Sequence, residues 1–99
     1  MNPAKVDRAR LQRLEDLPNV GKSVAEDLRL IGIHKPADLV GQDPLVLYEQ
    51  LCGVTGYRHD PCLLDVFMSV TSFMDGGPAL RWWSFTQARK ALLQGRARD

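Results

Sequence analysis

Three side chains that could ligate a metal or exchange protons fall within eleven residues: Cys52, His59 and Cys62. Two thiols and an imidazole are donors that zinc favours. A structural zinc site needs four ligands, and this stretch holds neither a CxxC nor an HxxxH pair. His34 or Asp60 would have to complete the set. The expectation is therefore no metal, with both thiols packed as small hydrophobes. Cys62 stands near a helix start, a position that lowers a thiol pKa. Arg58-His59-Asp60-Pro61 has the composition of a base and its orienter. Neighbouring residues at a loop-to-helix junction rarely face one another, however, and Asp60 before Pro61 already has the role of a helix cap. The Glu15-Asp16 and Glu26-Asp27 pairs lack acid/base spacing and read as solvated surface. Nothing in these groups points to covalent chemistry. The sequence is expected to need no cofactor and not to be an enzyme.

A different chemistry is available at Leu17–Ala25. Pro18 has no N–H and cannot continue a preceding helix. Asn19 and Gly21 are residue types that tolerate positive φ, so the chain can reverse here. Val20 points inward between them. A helix then begins at about Lys22, with its first N–H groups unpaired. Backbone amides, a helix N-terminus and a lysine at one place suit an anion, and phosphate is the natural one. Trp82 and Trp83, with Phe85 close by, are a second candidate. Such rings stack on bases in single-strand binders, but two Trp beside a short helix more often cover the end of a core.

Helical elements must position these groups. Val6–Asp16 reads as a first helix, with Val6, Leu14 and Leu17 on its apolar face. Ser23–Ile31 carries Val24, Leu28 and Ile31 on one face, and Gly32 caps its end. Pro36–Val40 is a short connector helix. Asp43-Pro44 starts a helix to about Cys52, with a turn at Gly53–Gly56. Asp60-Pro61 starts the most apolar helix, to about Met74, which belongs at the centre of the core. The last helix covers about Thr86–Gln94, with loose ends at residues 1–4 and in the Gly95–Asp99 tail. No stretch alternates with a period of two, so the fold class is all-α.

The chain has 99 residues, of which 44% are hydrophobic and 25% charged, which suits one domain with one core. No apolar run is long enough for a membrane span, and the polar N-terminus has no signal-peptide core, so a cytoplasmic protein without membrane contact is expected. Net charge is +1, unevenly spread: residues 1–25 carry +2, residues 26–75 carry −5 and residues 76–99 carry +4. One reading is a solvated surface with incidental clustering; the other places Arg8, Arg10, Arg13 and Lys22 on the hairpin face, with the acidic middle turned elsewhere.

Leu-Pro-Asn-Val-Gly-Lys-Ser-Val-Ala resembles a helix-hairpin-helix motif, whose hairpin reads Pro-Gly-hydrophobic-Gly before a short polar run and an Ala. Val20, Gly21 and Ala25 match, and Asn19 stands at the first glycine. The P-loop alternative would need a glycine where Asp16 stands. The resemblance implies binding to the DNA backbone without sequence reading, through Asn19, Val20, Gly21, Lys22 and Ser23, with charge from Arg13. With a second turn at Gly53–Gly56, the order also resembles the double helix-hairpin-helix arrangement. It implies a compact bundle of about five to six helices, with units at 5–33 and 43–75, a connector at 34–42 and a C-terminal segment at 78–95. The second turn lacks the Pro-x-hydrophobic-Gly pattern.

A narrower resemblance rests on Leu-Pro-Asn-Val-Gly-Lys, Ala-Glu-Asp-Leu-Arg-Leu-Ile-Gly-Ile, Arg-His-Asp-Pro-Cys-Leu-Leu-Asp-Val-Phe and Trp-Trp-Ser-Phe-Thr. Together these resemble a small bacterial family named for a pathogenicity locus, some of whose members are labelled mitomycin-resistance proteins. The first half also resembles the C-terminal domain of TfoX-type competence regulators. These likenesses imply a fold and a class rather than a reaction. The expected partner is DNA, bound weakly, non-specifically and with steep salt dependence, in the service of a larger DNA-acting protein. The alternative is a protein-interaction module that does not bind nucleic acid. Oligomeric state is left open.

Overall fold

The run Leu63–Met74 forms the centre of the molecule because it is apolar on nearly every side. In a computed structural model describing residues 6–98, with side chains through residue 95, it lies in helix α3, Pro61–Met74. Leu64, Phe67, Val70 and Phe73 are buried along it. Among the described residues, helix α1 (Lys22–Leu30), helix α2 (Pro44–Thr55) and helix α4 (Thr86–Arg98) are the other α-helices. Four short 3-10 turns among the described residues join or precede them, at Arg8–Arg10, Leu14–Asp16, Pro36–Leu39 and Trp82–Phe85. The described residues contain no strand. The all-α class holds, with fewer full helices than the spacing predicts.

The cause of that difference lies in residues 6–16. In place of one helix there are two 3-10 turns separated by extended backbone at Leu11 and Arg13. Side-chain oxygens capture the N–H groups that a helix would have used. Asp7 Oδ1 accepts from Ala9 N at 3.0 Å, and Asp16 Oδ2 accepts from Gln12 N at 3.0 Å and Arg13 N at 2.8 Å. Short polar side chains compete with helix in this way. The loose residues 1–4 and the expected start of the first unit at residue 5 lie outside the described residues.

Asp38 repeats the device. Its Oδ2 accepts from His34 N at 3.0 Å and Lys35 N at 3.2 Å, around the 3-10 turn Pro36–Leu39. Both turns follow the pattern basic-x-x-Asp-Leu: Arg13 to Leu17, then Lys35 to Leu39. Each Leu is buried. Each turn is followed by a residue with positive φ, Asn19 at 65° and Gly41 at 75°, and then by an α-helix. The same fold-back therefore feeds α1 and α2.

Helix α2 passes through Gly53 and ends three residues beyond the expected Cys52. Gly56, at φ 80°, supplies the left-handed terminator, and its N–H reaches Cys52 O at 3.0 Å. Asp43 Oδ1 caps the start of the helix through Leu45 N at 2.9 Å. At the end of α1, Gly32 takes φ 86° and Ile33 N returns to Leu28 O at 3.0 Å, which closes the helix as the sequence predicts. Helix α4 continues to Arg98, past the expected Gln94, so the backbone of the tail as far as Arg98 is helical.

One charged side chain sits inside this apolar body. Asp65 on α3 is fully buried. Its Oδ1 accepts from Arg89 Nε at 2.8 Å and its Oδ2 from Thr86 Oγ1 at 2.7 Å. Both donors belong to α4, which is thereby fastened to the central helix. A buried carboxylate needs such partners, because leaving it unpaired away from water is costly.

Candidate functional site

The hairpin before α1 combines an inward and an outward half. Leu14, Leu17, Pro18 and Val20 are buried, so the turn is anchored from beneath. Asn19 adopts φ 65° as its type allows, and its side chain points into the molecule. Its Nδ2 donates to Ser69 Oγ at 3.0 Å and to Leu80 O at 2.8 Å. Its Oδ1 accepts from Trp82 N at 3.2 Å. Glycine would supply the backbone angle here but none of these bonds. Asn19 thus links the hairpin, the central helix and the aromatic segment.

Gly21, Lys22 and Ser23 face solvent. Gly21 occupies the N-cap of α1 and offers no side-chain acceptor. The N–H groups of Lys22, Ser23 and Val24 at the first turn of α1 have no acceptor among the described residues. The two other helices with a resolved cap are closed differently. Asp43 fills the start of α2, and Asp60 fills the start of α3 through Cys62 N at 2.8 Å. At Gly21 a Cβ would meet no atom within 4 Å, and φ is −98°, a value any residue adopts. The fold itself does not require glycine at this position. The bare backbone leaves room for something outside the chain.

The charges around the hairpin only partly follow expectation. Lys22 is exposed and makes no ion pair among the described residues. Arg13 is exposed, with Asp16 at 4.0 Å. Arg10 leans on Asp7 at 3.5 Å. Arg8 is withdrawn from the expected basic face. Its guanidinium donates to Phe73 O at 2.5 Å and Gly77 O at 2.6 Å, and lies 3.8 Å from the centroid of the Phe73 ring. It closes the carboxyl end of α3 instead, where a cation complements the helix dipole.

Cys52, His59 and Cys62 do not converge on a metal. No group of three or more His, Cys, Asp or Glu among the described residues is placed to hold an ion. His59 Nε2 lies 2.8 Å from Thr55 Oγ1, and the ring packs against Tyr57 at 4.2 Å between centroids, tilted by 35°. The Tyr48 hydroxyl donates to His59 O, and burial pushes its pKa up. Both cysteines are free and half-buried. The Cys62 thiol titrates above its ordinary value, against the expectation from its place near a helix start. The Asp60 carboxylate is hydrogen-bonded to the thiol and disfavours the thiolate, and burial adds to this. Asp60 is held below the usual carboxylate range, chiefly by the Cys62 N–H, and points to Cys62 rather than to His59.

Trp82 is half-buried and Trp83 is 54% exposed. Their rings meet edge to face at 5.4 Å, and the Arg81 guanidinium lies 5.2 Å from the Trp83 ring centroid. Elsewhere, a shallow depression of about 460 Å3 is lined by Ile31, Gln50, Gly53 and Val54. Val54 in this lining is exposed, as is Leu30, the neighbour of Ile31 in sequence. Sequence reasoning missed the Asp65–Arg89–Thr86 cluster and the paired Asp16 and Asp38 turns. A lone Asp in the run Leu63-Leu64-Asp65-Val66-Phe67, and the repeat of basic-x-x-Asp-Leu, were the available signals.

These features define a small all-helical protein whose first α-helix starts without a side-chain cap and with an exposed lysine. The profile of the family described as Cdd1, pathogenicity locus, matches residues 7–91, and the chain belongs to that family. It is 46% identical over 86 residues to the mitomycin resistance protein McrB of Streptomyces lavendulae, covering 87% of this chain and 82% of that protein. No solved structure matches the chain. Among the described residues, no helix is long and apolar enough to cross a membrane.

Proposed function

We propose that the protein binds the DNA backbone without reading sequence, using the hairpin as a helix-hairpin-helix element. The observation that carries this reading is the bare start of α1. Gly21 leaves the N–H groups of Lys22, Ser23 and Val24 open, and Lys22 stands exposed beside them. Amides at a helix start, the helix dipole and a lysine together favour a phosphate. Arg13, exposed on the segment that leads into the hairpin, adds a cation. The roles of Asn19 and Val20 are to hold the turn from within, not to touch phosphate with their side chains.

With net charge +1 and Arg8 committed to the fold, binding is weak and falls steeply with salt. The protein performs no covalent step. It works in the bacterial cytoplasm as an accessory that tethers DNA for a larger DNA-acting partner. The test is a salt titration of binding to random-sequence duplex, with the parent, Lys22→Glu and Gly21→Val. Severalfold loss in both variants, with unchanged helical content, supports the reading. Parent-like binding by both variants excludes the hairpin as the contact.

A second reading, a protein-interaction module, is favoured by the apolar depression at Ile31 and Val54 with exposed Leu30. It gains ground if the parent binds no duplex even at low salt.

A further inference from the structure

The aromatic segment and the hairpin are one unit, joined by Asn19. Its side chain bonds to Leu80 O and Trp82 N, the residues on either side of Arg81. Trp83 therefore follows directly on a residue held by the hairpin. Trp83 is 54% exposed, and the edge-to-face contact of its ring with Trp82 at 5.4 Å gives the ring a fixed neighbour. A ring held in this way loses less freedom when a flat partner stacks on it. Arg81 lies 5.2 Å from the ring centroid, on a segment whose residues 76–99 carry a net charge of +4. Tyr57 is exposed to a similar degree, but its ring already packs against His59 at 4.2 Å between centroids, and it belongs to the acidic stretch 26–75.

We propose that Trp83 and Arg81 form a stacking site for an unpaired nucleobase, so that the preferred ligand is a duplex carrying a single-stranded tail. The inference rests on the backbone-binding reading above. Inside a continuous duplex each base face is covered by its neighbours, and an exposed indole gains nothing. At a tail the first unpaired base has a free face, and base–aromatic stacking tolerates any base. Arg81 turns from a weak surface contact with the ring to a phosphate of the stacked nucleotide. The hairpin then supplies the grip on the backbone, and Trp83 supplies the choice of DNA form.

The experiment compares a blunt duplex with the same duplex extended by a short tail, by fluorescence anisotropy at low salt with the full chain. The tailed duplex is expected to bind roughly tenfold tighter than the blunt one. Trp83→Ala removes that advantage and leaves blunt-duplex affinity unchanged. Trp83→Phe keeps part of the advantage, and Tyr57→Ala keeps all of it. Equal affinity of the parent for the two ligands overturns the inference, as does a preference that survives Trp83→Ala. Failure of the parent to bind either ligand overturns both the inference and the backbone-binding reading. Trp-dependent binding of the tailed duplex that is insensitive to Lys22→Glu keeps the inference and removes the hairpin.

Discussion

The Arg89 guanidinium lies 2.8 Å from a carboxylate oxygen of Asp65, and the Asp65 side chain is wholly cut off from solvent. The Arg89 side chain is itself only 12% exposed. Removing one partner strands the other charge in the core. Asp65→Ala and Arg89→Ala are each expected to lower stability by about 3–5 kcal/mol, read by urea or thermal unfolding. Replacing both by apolar residues of similar volume recovers much of the loss, because the cost lies in the unpaired charge. A double variant as unstable as the two single losses added together contradicts this account.

Asn19 separates two requirements that glycine cannot meet together. Asn19→Gly keeps the backbone angle and loses the three hydrogen bonds. Asn19→Ala loses both the bonds and the ease of positive φ. Denaturant titration is expected to rank the parent first, then Asn19→Gly, then Asn19→Ala. The first step is about 1–3 kcal/mol. Equal stability of the parent and the glycine variant contradicts the tie to Ser69 and Trp82.

Asp16, Asp38 and Asp60 all titrate below the ordinary 3.8, each held down chiefly by backbone N–H groups at a turn or helix start. Their folded pKa values lie under their unfolded ones. The stabilisation is therefore complete above about pH 4 and drains away as pH falls through the lowered values. Carboxyl-carbon NMR titration is expected to give midpoints under 3.8 for these three residues. The Gln12, Arg13, His34 and Lys35 amide signals should shift as the first two protonate. Ordinary midpoints would mean that the captured amides are not held in solution.

The Cys62 thiol is raised by its carboxylate neighbour, so alkylation at neutral pH is expected to be slower than for a free thiol. In a Cys52→Ser background, Asp60→Asn lowers the Cys62 pKa and speeds the reaction with iodoacetamide. The asparagine can still cap α3, so the helix stays in place. An unchanged rate–pH profile contradicts control by Asp60.

The four helices were legible because their signals are local. Asp43-Pro44 and Asp60-Pro61 announce helix starts, Gly32 announces an end, and the apolar run from Leu63 identifies the central helix. The failure at residues 6–16 is also physical. Val6, Leu14 and Leu17 have spacing compatible with a helical face, and nothing in that spacing reveals that Asp16 takes two amides for itself. The hairpin was readable as a turn, but the inward aim of Asn19 depends on Ser69 and Trp82, fifty and more residues away. The basic face was overestimated for the same reason, since the carbonyls that claim Arg8 belong to Phe73 and Gly77. Cys62 shows the converse: position alone argued for a lowered pKa, and its partner Asp60 decided the sign.

The repeated fold-back has a mechanical consequence. The same turn delivers α1 and α2, yet Asp43 plugs the second helix start and Gly21 leaves the first one open. A rod held at one open socket can pivot about it, whereas a rod held at two is fixed in direction. Under the proposed backbone contact, a domain with one socket of this pair open would act as a swivel joint, and alignment of the bound DNA would need a second contact.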